Sequence, residues 1–168
     1  IPRWKETITI ASWLSPIVSG SAIRDFELTD ESGSMVGVGT NSAVFFDLER
    51  RRPMEAPEGF LKLNLPKRPR ALDDPFERLP KPAHIHHEKA FTAGMTDIDM
   101  YNHVNNVVYI SWAMDAVPQE VWRTHVPMEM EIAFRSEVSF GETVLSQAEE
   151  IRTPEGMTYV HRLARENS

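Results

Sequence analysis

At 168 residues, 41% hydrophobic and 26% charged, the chain has the make-up of a soluble globular protein long enough to bury a sizeable core. A net charge of −7 argues against nonspecific binding to nucleic acid, and the lack of cysteine excludes disulfides, thiolate metal ligands and a cysteine nucleophile. No apolar run approaches the length that spans a bilayer, so no stable membrane insertion is expected.

In chain order, Glu6 to Trp13 alternates with β-branched residues at Thr7, Ile8, Thr9 and Ile10, the period of a half-buried strand. A second strand is expected from Ala22 to Thr29. The turn residues Asp30-Glu31-Ser32-Gly33-Ser34 then lead into a long third strand from Met35 to Leu48, in which Val36, Val38, Thr40, Ser42, Val44 and Phe46 share one parity. The expected product is an antiparallel meander.

Between Pro53 and Pro82 the texture changes, with prolines set among charges and no sustained period, which reads as a semi-stiff linker holding at most a short helical turn. The division expected is therefore residues 1–52, a Pro-rich linker 53–83, and residues 84–168. The chain starts at Ile1 and ends Arg165-Glu166-Asn167-Ser168 directly after a strand-like run, so both ends read as cut points.

The second half opens with a strand from His86 to Thr92 and a turn at Gly94. Val104, Val107, Val108, Ser111 and Met114 follow at helical spacing, with Asn102 or a neighbour as N-cap, and Pro118 ends that helix or starts a short one through Glu120 to Arg123. Three further strands are expected at Met128–Ser136, Thr143–Ile151 and Met157–Ala164, separated by Phe140-Gly141-Glu142 and Pro154-Glu155-Gly156. Strand, helix, then three strands predicts an α+β fold in which an antiparallel sheet wraps one central helix.

Chemistry concentrates in Thr96-Asp97-Ile98-Asp99-Met100-Tyr101-Asn102-His103-Val104-Asn105-Asn106, at the start of that helix. Unpaired amides there can receive a developing oxyanion, while an imidazole and carboxylates move the proton. His84, His86, His87 and Glu88 give only a weak metal signal with no second ligand cluster near them in sequence, so neither a metal nor a cofactor is expected. The basic runs Arg50-Arg51-Arg52 and Lys67-Arg68-Pro69-Arg70 are candidate contacts for an acidic protein partner, against the plainer reading of solvated loop faces.

Asp97-Ile98-Asp99 through His103-Val104-Asn105-Asn106, Tyr109, Trp112 and Pro118-Gln119-Glu120 resemble the signature of the fatty acyl-ACP thioesterases, and Pro2 to Trp13 and Arg24 to Arg52 resemble that family's first repeat. The resemblance implies a hot dog fold in two tandem repeats, incomplete at both ends. Residues 1–52 would then be the late part of the first repeat, and 84–168 a second repeat with the catalytic loop. It implies catalytic roles for Asp99, His103, Asn102 and Glu137, the last within Phe134-Arg135-Ser136-Glu137-Val138. Substrate contacts fall on Val104, Asn105, Asn106 and Trp112, with the amide near Val104 receiving carbonyl charge and Trp112 flooring an acyl tunnel.

Two positions depart from the family pattern: Tyr101 stands where an Asn is usual, with Asn102 beside it, and Val138 stands where many relatives have a cysteine. A valine leaves a carboxylate and imidazole to activate water, or Asp99 to attack the thioester directly. The implied activity is hydrolysis of fatty acyl-ACP, ending fatty acid synthesis, with acyl carrier protein as partner. A homodimer is one assembly this allows. The implied location is the bacterial cytoplasm, or the plastid stroma of a photosynthetic eukaryote. An acyl-CoA thioesterase and a noncatalytic acyl-binding module are the rival readings.

Overall fold

A computed structural model describes residues 2–154 and 156–166, so Ile1 and the Asn167-Ser168 end, read above as cut points, lie outside the described residues. The chain forms two compact units, residues 1–77 and 78–168.

In the first unit, strands β1 (Thr9–Val18), β2 (Ser21–Thr29) and β3 (Met35–Val44) make one antiparallel sheet in the order β1-β2-β3. The β1–β2 turn is tight because Ser19 and Gly20 both take positive φ, 50° and 81°. The β2–β3 turn is closed by Asp30, whose carboxylate accepts N–H bonds from Ser32 and Ser34, both at 2.9 Å. Trp13, Ser15, Ile23 and Asp25 share one buried face, since Trp13 pairs with Asp25 and Ser15 with Ile23. Asp25 accepts the Ser15 hydroxyl at 2.5 Å.

The strand expected to run to Leu48 ends at Val44. Phe46–Asp47 (β4) instead pairs with Arg52–Pro53 (β5), because Asp47 caps the turn through N–H bonds from Glu49 and Arg50. In the Pro-rich stretch one short helix, α1 (Glu58–Leu61), sets Phe60 edge-on to Phe45 at 4.9 Å.

The second unit holds β6 (His87–Thr92), a 3-10 turn (Met95–Asp97), α2 (Asn106–Asp115), α3 (Gln119–Thr124), β7 (Thr143–Thr153) and β8 (Gly156–Arg165). The strands form an antiparallel sheet in the order β6-β7-β8. Val144, Ser146 and Ala148 alternate as the fully buried side of β7, and Val144 joins Ala93, Val104, Tyr109, Trp112 and Val138 in one core, with Phe91, Val108 and Leu163 packed against it. Phe91 stacks on Trp112 at 5.5 Å, which fixes α2 on the sheet. This is the expected sheet against a central helix.

The strand expected at Met128–Ser136 is absent: residues 125–135 form neither helix nor strand, and Met128 is 84% exposed. Its alternation of apolar and polar residues is real, but a strand also needs a neighbouring backbone to bond, and among the described residues none lies beside it. No helix among the described residues is long and apolar enough to cross a membrane.

At one end of the second sheet Glu150 gathers Arg152 Nε at 2.5 Å, the Tyr159 hydroxyl at 2.8 Å and His87 Nε2 at 3.6 Å. The Arg152 bond, then the Tyr159 hydroxyl, hold the Glu150 carboxyl down to about 2, while burial and the bond to Glu150 push Tyr159 up to about 12. A carboxylate whose pKa is depressed on folding stabilises above its ordinary pKa and loses that contribution as pH falls towards the folded value. Glu150→Gln is therefore expected to lower the melting temperature at pH 6. In melts followed by circular dichroism, the gap to the parent should close as pH falls from about 4.5 towards about 2.

Candidate active site

The segment leading into α2 is built from turns that close on themselves. The Asp97 carboxylate accepts the Gly94 N–H at 2.8 Å and closes the 3-10 turn. Asp99 opens the next turn: its N–H donates to His103 O at 2.9 Å, its carboxylate accepts the Tyr101 N–H at 2.8 Å, and Asn102 N–H donates to Asp99 O at 3.1 Å. Asn102 reaches the left-handed region, φ 62°, which asparagine tolerates better than most residues. The helix is capped by Asn105, whose side-chain oxygen accepts the Val107 N–H at 2.9 Å, and not by Asn102.

Two of the expected catalytic side chains meet. His103 Nε2 lies 3.2 Å from Glu137 Oε2, with the side chains 32% and 57% exposed. Asp99 sits across the turn from His103, but its carboxylate bonds the turn's own Tyr101 amide, and among the described residues no bond joins it to the imidazole. Asn102 is exposed, and the Tyr101 side chain is 72% exposed.

The amide expected to receive carbonyl charge is corrected. The Val104 N–H is spent on Val138 O at 2.8 Å, and that of Asn105 on Asp97 O at 2.8 Å, because the loop must pair its backbone before the helix begins. The first helical amide, that of Asn106, has no acceptor among the described residues and is the available donor at this end. Trp112 is a core residue, packed between the rings of Phe91 and Tyr109, which moves it from tunnel floor to packing.

In the basic run Lys67–Arg70, two of the three cations are engaged locally. Arg68 pairs with Glu27 and lies 3.8 Å over the Trp13 ring, and Arg70 bonds Thr40 and the Asp74 carbonyl. Both guanidinium groups fasten the Pro-rich stretch to the first sheet, since Arg can bury its stem on apolar surface and keep its charge satisfied. Of the other run, Arg50 faces Asp47 at 3.5 Å. The histidines near the start of β6 are engaged locally: His86 Nδ1 accepts the Glu150 N–H at 3.0 Å, and His87 faces the Glu150 carboxylate.

The residues that hold Glu137 were not visible as such in the sequence. Val138, buried, gives its N–H to the Tyr109 hydroxyl at 3.0 Å, and Arg165 donates to Glu137 O and pairs with Glu142 at 3.3 Å. Glu142 in turn accepts the Ser139 N–H at 2.6 Å. Tyr109 lies on the apolar stripe of α2, the position of a packing aromatic, and nothing in its spacing signals an acceptor for a distant amide.

Comparison with known proteins follows from this geometry. The profile of the acyl-ACP thioesterase C-terminal domain matches residues 81–167, just over half of the chain. The oleoyl-acyl carrier protein thioesterase of Coriandrum sativum, a chloroplastic protein, is 28% identical over 156 residues, covering 85% of this chain and 42% of its own length. The palmitoyl-acyl carrier protein thioesterase of Cuphea hookeriana is 24% identical over 143 residues, 81% of this chain and 34% of its own. The chain thus spans about two fifths or less of the length of these curated relatives. Among solved structures, the 12:0-ACP thioesterase of Umbellularia californica superposes with a TM-score of 0.81 at 22% identity, over 99% of this chain and 64% of that one. An acyl-ACP thioesterase of Bacteroides thetaiotaomicron gives 0.80 at 23%, over 97% and 65%. The fold is the hot dog fold.

Removing the cap should report how far the site depends on the helix start. Asn105→Ala is expected to cost about 1 kcal/mol in urea unfolding, the usual loss for an N-cap side chain, with the amide signals of Val107 and Val108 moving most in a ¹H–¹⁵N spectrum.

Proposed function

The chain belongs to the acyl-ACP thioesterase family, and on that premise we propose that it hydrolyses the thioester between a fatty acyl group and the phosphopantetheine arm of acyl carrier protein. The observation that carries the reading is the 3.2 Å contact of His103 and Glu137 beside the start of α2. With its Nε2–H directed at Glu137, the imidazole keeps its lone pair on Nδ1, and that nitrogen takes the proton of the attacking water. Water oxygen bonds to the acyl carbon, and the carbonyl oxygen gains negative charge. The C–S bond then breaks, the sulfur takes the proton from His103, and a free fatty acid and the carrier thiol are released. The Asn106 N–H is the donor we assign to the oxyanion.

Asp99 serves this scheme by closing the turn that presents His103, since one carboxylate oxygen is committed to the Tyr101 amide. Direct attack by Asp99 would require that bond to break and is the less direct route. We read residues 1–52 as belonging to a first hot dog repeat and 84–168 to a second. Acyl carrier protein is the partner, with Arg50 to Arg52 as the remaining basic run for its acidic surface. The setting we assign is the plastid stroma of a photosynthetic eukaryote or the cytoplasm of a bacterium.

Matched acyl-ACP and acyl-CoA esters, read by thiol release, test the proposal. His103→Ala is expected to lower kcat by about 10²- to 10⁴-fold, the range for removing a general base, and Glu137→Gln by a smaller factor. Preference for the carrier-protein ester supports the assignment, and equal use of both esters moves it to an acyl-CoA hydrolase. Binding of the acyl chain without turnover rejects hydrolysis.

A further inference from the structure

Glu137 is the exposed member of its pair, and it ends a segment with no sheet partner: residues 125–135 form neither helix nor strand among the described residues. A carboxylate on such a segment has no ladder of backbone bonds to hold it. Contacts outside a ladder set its place, among them the Arg165 bond to its own carbonyl and the bonds of the next residue. Val138 is buried in the core, its carbonyl accepts the Val104 N–H at 2.8 Å, and its own N–H donates to the Tyr109 hydroxyl at 3.0 Å.

These bonds match the two halves of the dyad. Val104 follows His103 in the chain and Val138 follows Glu137, so the Val104–Val138 bond sets the imidazole and the carboxylate side by side. That bond holds the Val138 carbonyl, and the Tyr109 hydroxyl holds the N–H of the same residue from α2. We propose that Tyr109 is a positioning residue for the hydrolysis assigned above, acting through the backbone of Val138 to keep the Glu137 carboxylate against His103.

Three features support the assignment. Tyr109 is buried on α2, where its ring meets Trp112 edge-on at 5.7 Å. Its hydroxyl stays protonated in neutral solution, since burial raises its pKa above the ordinary value. The tolerance is also narrow: a shift of about 1 Å would open a 3.2 Å contact beyond hydrogen-bond length, and misplacement on that scale costs catalytic groups heavily. The Arg165 side chain bonds the Glu137 carbonyl from β8 and pairs with Glu142, which braces the segment but does not orient Val138.

The inference rests on the hydrolase reading for its consequence, but its test does not. Tyr109→Phe removes only the hydroxyl and keeps the ring contacts. The first readout is the set of NOEs between the His103 ring protons and the Glu137 side-chain protons in the parent and in Tyr109→Phe. The expected result is a weakening of these NOEs in Tyr109→Phe, with faster exchange of the Val138 amide. NOEs of parent strength overturn the proposal, whether or not the parent turns over acyl-ACP.

With an active parent, kcat in Tyr109→Phe should fall on the order of ten- to a hundred-fold with little change in KM. The Tyr109→Phe/Glu137→Gln pair should fall no further than Glu137→Gln alone. Additive losses mean that Tyr109 acts elsewhere and overturn the proposal. Should Tyr109→Phe not fold, an ester in place of the Val138 amide deletes the same bond from the donor side and is read by the same NOEs.

Discussion

The burial of one stripe of α2 against β6, β7 and β8 governs the rest of the second unit. Tyr109 and Trp112 cannot stay in water at an acceptable cost, and each large apolar side chain taken from water contributes roughly 1.5–3 kcal/mol. Phe91 stacks on Trp112, and Val144 and Leu163 pack in the same core. Once the stripe is seated, the direction of the helix start is decided too, and with it the places of the Asn105 cap, the Asn106 amide and His103. The His103–Glu137 contact adds little to stability by comparison, because even a fully charged pair this exposed is worth about 0–1 kcal/mol. It is held by the core and does not hold it.

That order of causes explains which parts were legible in the residues. β2, β6, β7 and β8 can be read to within about two residues, since alternation and turn residues are local signals and these strands have neighbours to bond, whereas β1 starts three residues after Glu6 and runs five past Trp13. Met128–Ser136 alternates just as cleanly and still forms no strand. Alternation reports that the two sides of a segment differ, and says nothing about whether another backbone lies beside it. The cap was ambiguous for a similar reason. Asn102 and Asn105 are the same residue type, and only the loop's conformation shows that the first is wanted for its left-handed φ and the second for its side-chain oxygen. Glu137 is far from His103 in sequence and was linked to it by family resemblance, not by any pattern in its own segment.

The Pro-rich stretch shows how charge misleads when it is read without contacts. Lys67-Arg68-Pro69-Arg70 has the composition of a solvated basic patch, yet Arg68 covers Trp13 and Arg70 reaches Thr40. Proline keeps such a segment extended, and an extended segment on a sheet needs anchors that bind flat surface and carboxylates together. Arginine does both, through the face of its guanidinium on an aromatic ring and its edge on Glu27. Residues 53–77 of the stretch thereby belong to the first unit.

Tyr101 is the departure from the family pattern that bears most directly on the site, and the turn shows why the fold accepts it. What the turn takes from position 101 is a backbone N–H for the Asp99 carboxylate, which every residue but proline supplies, and the Tyr101 side chain points to solvent. What it takes from position 102 is positive φ, where asparagine is well suited and tyrosine is not. An Asn moved from 101 to 102 therefore keeps the geometry that presents His103 while withdrawing a side-chain amide from position 101. The His103–Glu137 contact and the Asn106 N–H, which has no acceptor among the described residues, do not involve the side chain at position 101.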